Sequence, residues 1–344
     1  MGEEAKVTKA AAPKDSRDYL LDNLRAVFII LVVWGHLLTA MKSDYTSPRS
    51  IYIFIFFFHM PAMAFISGYF SKNLEKIRSS AFVTILLPYL ILNVLNYLYR
   101  LVVVYDGYTG YRFFKPYWGL WYLLVLFLWK FFLKDLIRIR FLLPISFVIA
   151  LFSGFSKEFS EYMALGRAIC FLPFFLLGYY CTAGHIEKIR KLPKLLGAGV
   201  VALVAALSVY LAYQSGFATE VLYLRKYYPQ NAEIKGMLYR ILVYVVAIAM
   251  IFAITNLVTA RKNLLSLVGQ NTMTVYILHL FTIPLLEKLG LFKNQPWLYL
   301  VYSILMALLI TYIYSLPVVK KGYDGIMNLL TGLILKKDGI NKLS

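Results

Sequence analysis

The sequence predicts an all-α integral membrane protein, one polytopic bundle of about ten transmembrane helices with both termini cytoplasmic. Three observations predict it. The 344 residues are 60% hydrophobic and only 15% charged, whereas a soluble domain carries about 25% charge. Mean hydropathy is +0.68. The apolar residues also fall in blocks near the roughly 20 residues a spanning helix needs. Length alone would allow two soluble domains. The blocks run nearly end to end, so they mark one membrane domain over 19–318, between cytoplasmic tails at 1–18 and 319–344.

The first block, 19–41, is too long for a signal peptide. It contains a histidine and lacks a small-residue cleavage signature, so it reads as a true first helix. Then follow 51–70, 82–104, 118–133, 141–155, 168–181, 195–213, 237–257, 272–289 and 297–316, of which the fifth and sixth blocks are short. Beyond Pro317, 318–337 reads as an amphipathic helix along the interface.

Loop charge sets the orientation. Lys6, Lys9, Lys14 and Arg17 precede the first helix, and Lys72, Lys76 and Arg78 follow the second. Lys130, Lys134, Arg138 and Arg140 follow the fourth, Lys188, Arg190, Lys191 and Lys194 the sixth, and Arg261 and Lys262 the eighth. The alternate loops are poorer in Lys and Arg, so the positive-inside rule places both termini in the cytoplasm. Anionic lipid headgroups then account for the net charge of +19, and membrane lipid, not nucleic acid, is the expected partner. Cys170 and Cys181 stand about 16 Å apart along a helix, too far for a disulfide. The histidines lack carboxylates or thiols at ligand spacing, so no metal is expected.

Ionisable groups within a span cost at least about 2.5–3.5 kcal/mol when charged, and persist where they have partners or work. Three of the four histidines, His36, His59 and His279, fall inside predicted spans. In the first helix Asp22 and Arg25 are neighbours on one face. Eleven steps of about 100° bring His36 back to that face, about 16 Å further along. Such a stripe fits a substrate path through the membrane. In the second helix His59 precedes Pro61, which is expected to break the hydrogen-bond ladder and bend the helix. His279, in the ninth helix, has a structural role or a substrate-facing one.

Two loops on the opposite side, 105–117 and 213–236, are rich in aromatics. They form an interfacial aromatic belt, or a platform for sugar rings on which Arg112, Lys115, Arg225 and Lys226 meet phosphate or carboxylate.

Asp22, Leu24 and Arg25, followed by His36 after ten intervening residues, resemble the first-helix motif of the acyltransferase-3 family. FFFHMPAMAFISGY at 56–69 resembles the family's second-helix motif, in the His-Met-Pro version of its fucose-4-O-acetylase-like branch. GLWYLLVLF at 119–127, GRAICFLPFFLLGYY at 166–180 and GQNTMTVYILHL at 269–280 resemble further blocks in family order, so the likeness spans about 16–318. It implies an O-acyltransferase of the bacterial plasma membrane. Such an enzyme moves an acyl group, usually acetyl, from cytoplasmic acyl-CoA to a hydroxyl of a cell-surface or lipid-linked carbohydrate. His36 would be the catalytic residue, and Arg25 would meet donor phosphates or hold the site. Many relatives carry a basic stretch before the third helix's proline; SSAFVTILLPY stands there instead, with Arg78 further back. The fused extracellular esterase-like domain of some relatives is not expected.

Acyl transfer from a thioester to an alcohol needs a base, oxyanion donors and a site closed to water. His36 serves as that base or accepts the acyl group itself. His59, Tyr69 and Trp121 are the candidate oxyanion groups. Arg167 holds an acceptor phosphate or braces the fold, and Trp118, Trp121, Tyr69 and His279 are assigned to the substrate. Asp22, Arg25 and Arg78 are assigned to the donor. The rival reading is a secondary transporter or saccharide exporter, which often shows paired halves; none is visible.

Overall fold

The computed structural model of the chain describes residues 19–105, 115–157 and 162–335. Arg112, the N-terminal Lys6, Lys9, Lys14 and Arg17, and the last residues of the predicted 318–337 helix lie outside them. Among the described residues the chain is helical, with no strand.

Two long helices form the centre. α1 (Leu20–Leu38) turns back into α2 (Thr46–Tyr69). Their apolar windows are 61% and 72% buried inside the protein, against 28% for the peripheral α9 (Lys194–Tyr213). α2 runs through Pro61 as one uninterrupted helix, although Pro61 has no N–H to give to the Phe57 carbonyl one turn back. α3 (Leu74–Ala81) passes through a wide π-turn, Phe82–Leu86, into α4 (Leu87–Tyr99). Pro88 stands in the first turn of α4, where its missing N–H and its ring are tolerated. With a second π-turn, Arg100–Val104, this forms one 31-residue apolar rod, Leu74–Val104, eight residues longer at its start than the sequence suggested. α7 (Leu165–Tyr180), α9 and α10 (Glu233–Leu257) pack on α2, while α5 (Trp121–Leu136) and α6 (Leu142–Phe152) pack on α7 and α8 (Ala183–Lys191) on α10. α11 (Leu264–Gln270), α12 (Thr272–Leu289) and α13 (Pro296–Ser315) pack on α1.

Apolar helices occupy all ten predicted blocks, but not all are long enough to span. Six are long and apolar enough to cross a membrane, or eight if two bent pairs each count as one span. α5 has 16 residues and α6 has 11, so the count of ten is not reached on length. The bends are 91° between α7 and α8 and 80° between α11 and α12. α14 (Pro317–Ile334) stands where the interfacial helix was predicted, with Val318, Ile326, Leu329 and Leu333 exposed along one stripe.

Packing of α2 on α7 is backbone to backbone. A Cβ on Gly68 would lie 1.8 Å from the Phe175 carbonyl oxygen, and one on Gly178 would lie 1.8 Å from that of Phe65. Small residues permit this approach, the usual basis of helix association in lipid. Gly269 meets α1 the same way, with its Cβ position 1.7 Å from the Asp22 carbonyl oxygen.

Polar clamps fix α1 at both ends. Asn23 donates through Nδ2 to the Thr259 and Arg261 carbonyls at 2.7 and 3.0 Å and accepts from Ser266 Oγ at 2.8 Å. At the far end Trp34 Nε1 donates to Ser303 Oγ at 3.0 Å, and the Tyr299 hydroxyl donates to the Leu37 carbonyl at 2.7 Å. Each bond satisfies a buried group that has no water to turn to.

Gly68→Val is expected to destabilise the fold by at least about 3 kcal/mol, the upper end of ordinary overpacking, because backbone must move. Gly199→Val, whose Cβ meets nothing within 4 Å, is the control. Melting of both variants in detergent, followed by size exclusion, checks this; equal melting temperatures would contradict the packing described.

Candidate active site

The functional groups of α1 and α2 separate into two clusters, one at each end of α1. α1 begins at the Arg25 end and α2 finishes there, so the Arg25 guanidinium lies 3.8 Å from the centre of the Phe70 ring. Arg25 Nη1 is 3.9 Å from the Asp22 carboxylate, which also accepts from Gln270 Nε2 at 3.3 Å. Lys72 crosses the end of α7 and donates to the Gly178 carbonyl at 3.4 Å, to the Cys181 carbonyl at 2.8 Å and to that of Tyr179. A cation there complements the helix dipole, while burial lowers the pKa of the Lys72 ammonium. Arg78, expected near donor phosphates, pairs with Asp135 at 2.9 Å on a partly exposed surface.

The other end of α1 faces a cavity of about 200 Å³. His36 and Thr39 reach it from α1; Tyr52, Phe56, His59 and Met60 reach it from α2. A 3₁₀ turn, Trp118–Leu120, leads into α5 and contributes Trp118 and Gly119, joined by Trp121. Arg167 and Phe171 enter from α7, Tyr276 from α12, and Leu222, Tyr223 and Arg225 from the segment between α9 and α10. Arg25, Asp22, Arg78 and Tyr69 do not line this cavity.

His36 is set between two rings. The Trp118 ring centre is 4.5 Å away, and that of His279 is 5.1 Å away at 25°. His36 Nδ1 is 3.0 Å from His279 Nε2, and His279 Nδ1 is 3.0 Å from the Val275 carbonyl oxygen. A carbonyl only accepts, so His279 Nδ1 carries the hydrogen. For two uncharged rings the rest follows: His279 Nε2 accepts, His36 Nδ1 donates, and His36 Nε2 is left with its lone pair. The same reasoning applies to His59. Its Nδ1 is 2.8 Å from the Ile55 carbonyl oxygen, so an uncharged His59 also turns an acceptor outward. In that form it presents a lone pair, and not an N–H, to the cavity. Tyr69 stands ten residues beyond His59 on α2, about 15 Å along the helix, and is outside the cavity lining. The indole N–H groups of Trp118 and Trp121 have no hydrogen-bond partner among the described residues and remain as donors.

The segment from Phe217 to Tyr228 is tied down as a wall. Arg49 Nη2 donates to the Phe217 carbonyl at 2.6 Å, Lys42 Nζ to the Tyr223 hydroxyl at 2.5 Å, and the Tyr52 and Tyr223 hydroxyls are 2.6 Å apart. Arg240 Nη2 donates to the Lys226 carbonyl at 2.9 Å and Tyr228 N to that of Gly154 at 2.6 Å. Sequence reasoning did not find Thr39, Tyr52, Tyr223 or Tyr276. Thr39 and Tyr276 stand three residues from His36 and His279, and Tyr52 stands seven from His59, spacings that place each on its histidine's helix face. Tyr223 lies in the aromatic-rich loop 213–236, where the sequence does not single it out from its neighbours.

Residues 18–316 match the family model described as the acyltransferase domain, Acyl_transf_3. No curated protein and no solved structure matches the chain.

Nitrogen-15 spectra of histidine-labelled protein are expected to show His36 protonated at Nδ1 and bare at Nε2. Replacing His279 by Phe removes the acceptor and should release the ring into a mixture of tautomers. A wild-type His36 protonated at Nε2 would overturn the assignment.

Proposed function

This chain belongs to the acyltransferase-3 family, and from that membership we propose that it is a membrane O-acyltransferase. It takes an acyl group, acetyl as the reference case, from cytoplasmic acyl-CoA to a hydroxyl of a cell-surface or lipid-linked carbohydrate. The observation that carries this reading is the chain His36 Nδ1–His279 Nε2 and His279 Nδ1–Val275 O beside a cavity that His36 lines, which in uncharged rings leaves His36 Nε2 as an acceptor.

In the proposed reaction His36 Nε2 takes the proton of the acceptor hydroxyl as its oxygen attacks the thioester carbonyl. The negative charge that develops on the carbonyl oxygen meets the indole N–H of Trp118 or Trp121 and the guanidinium of Arg167. The tetrahedral intermediate collapses, the carbon–sulfur bond breaks, and the proton passes from His36 to the thiolate. His279 touches neither substrate; it positions His36. With both termini in the cytoplasm, the Arg25 end faces the cytoplasmic donor, and Arg25, braced by Asp22, meets its phosphates. A covalent acyl-His36 intermediate would use the same lone pair.

Purified protein in liposomes with labelled acetyl-CoA and a mixed extract of envelope glycans tests this. Wild type is expected to release CoA and transfer label, and folded His36→Ala to lose about 10³-fold or more. His279→Phe is expected to lower kcat by about 10²-fold while the KM for acetyl-CoA stays within about threefold, since a positioning residue acts on the step and not on donor binding. If wild type leaves acetyl-CoA and other short acyl-CoAs untouched with acceptors present, the enzymatic reading fails and transport assays take its place.

A further inference from the structure

The cavity is both cationic and aromatic at the end remote from Arg25. The Arg167 guanidinium lies 4.5 Å from the Trp121 ring centre, and that of Arg225 lies 5.3 Å from the Tyr223 ring centre. Lys42 Nζ is 4.9 Å from the Tyr52 ring and 5.1 Å from the Tyr223 ring. Among the described residues, none that lines the cavity is acidic. Glu220, on the neighbouring 3₁₀ turn Thr219–Tyr223, is outside the lining. Arg225 has no ion pair among the described residues, and its Nε is buried without an acceptor. Lys42 gives its hydrogen bond to a neutral phenol oxygen.

Buried donors in folded proteins are ordinarily satisfied. Arg225 is half-buried, its buried Nε lacks an acceptor, and the residue is held in place. The tethers from Arg49, Arg240 and Tyr228 fix the backbone on both sides of Arg225, and Lys42 holds the Tyr223 hydroxyl. Cations of one sign along a low-dielectric cleft concentrate anions there, and a fixed guanidinium fork matches the paired oxygens of a carboxylate or phosphate.

We propose that this end of the cavity binds an anionic group on the acceptor itself, a carboxylate or phosphate carried by the sugar close to its reactive hydroxyl. Arg225 is the principal ligand, and the rings of Trp118, Trp121 and Tyr223 cover the sugar. The inference rests on the acyltransferase reading and narrows its acceptors from carbohydrates in general to acidic ones. Donor phosphates are a different anion: Arg25 stands eleven residues from His36 on α1, about 16 Å away.

The test is binding, measured by tryptophan fluorescence of the full chain in nanodiscs. The probes are glucuronate, glucose 6-phosphate and methyl glucoside, with a polyprenyl phosphate built into the lipid in a separate arm. At least one anionic probe is expected to bind ten-fold or more tightly than methyl glucoside. Glucuronate ahead of both phosphates assigns a carboxylate; either phosphate ahead assigns a phosphate, free or lipid-borne according to the arm. Arg225→Gln should bring the favoured anion to within two-fold of the neutral sugar. Arg225→Lys should keep part of the preference, and Arg138→Gln, which removes one charge from an exposed turn, should keep all of it. Equal binding of charged and neutral probes to wild type overturns the proposal. So does an anion preference that survives Arg225→Gln, or a loss of CoA binding in that variant, which would give the site to the donor. The readout needs no turnover, so failure of acyl transfer in liposomes is a separate result.

Discussion

A helix largely buried in an apolar bundle must find most of its polar partners within the protein, and α1 shows how that constraint is met. Water cannot complete a bond in the hydrocarbon region, so each unpaired group costs several kcal/mol. α1 answers with Asn23 bonded to two loop carbonyls and a serine, Trp34 bonded to Ser303, and its own Leu37 carbonyl bonded by Tyr299. These bonds pin the helix lengthwise. Gly269 pins it laterally, since the contact with the Asp22 carbonyl leaves no room for a side chain. Only with α1 fixed in depth and rotation do Arg25 and His36 keep their places at opposite ends, and only then does His36 meet a ring from α12.

The two ends differ in how their cations are satisfied. Near Arg25 the charges have direct answers: a carboxylate at 3.9 Å for Arg25, the terminal carbonyls of α7 for Lys72, and Asp135 for Arg78. Exposed pairs such as Arg78–Asp135 add on the order of 0–1 kcal/mol, so they steady α3 against α5 without defining a site. Around the cavity Lys42 and Arg225 rest on aromatic faces, with no carboxylate paired to either among the described residues. Cation–π contacts of roughly 0.5–2 kcal/mol orient a guanidinium without neutralising it. In the proposed reaction that difference divides the labour, with a braced, internally paired end toward the donor and an end toward the acceptor whose charge still seeks a partner.

Much of this was legible because it depends on one helix at a time. The arithmetic of 100° per residue placed Asp22 beside Arg25 and put His36 on the same stripe, and the structure has the first pair in contact. The apolar blocks located the helices because hydrophobic length is a local property. The same arithmetic would have separated Tyr69 from His59 and grouped Thr39 and Tyr52 with the cavity. What could not be read were contacts between helices distant in sequence. His36 and His279 are 243 residues apart, and Tyr52 and Tyr223 are 171. The bends between α7 and α8 and between α11 and α12 were hidden for a related reason: a turned helix keeps the composition of a straight one. Tyr223 lay in a segment that read equally well as an aromatic belt, and only its tethers to Lys42 and Tyr52 make it a wall.

Two histidines face one cavity with free lone pairs, and their surroundings distinguish them. An imidazole that takes a proton becomes a cation, and the transition state is favoured by contacts that strengthen as this charge appears. His36 has two such contacts. Its Nδ1–H bond to His279 becomes charge-assisted, roughly twice as strong as the neutral bond. Its ring, 4.5 Å from that of Trp118, gains the best of the aromatic partners for a cation. His59 also has a charge-assisted bond in prospect, to the Ile55 carbonyl, but its aromatic neighbour Phe56 meets it at 66°, a poor geometry for a cation against a ring face. Both imidazoles therefore gain a charge-assisted bond as the proton arrives, and the Trp118 ring at 4.5 Å is the contact that sets His36 apart.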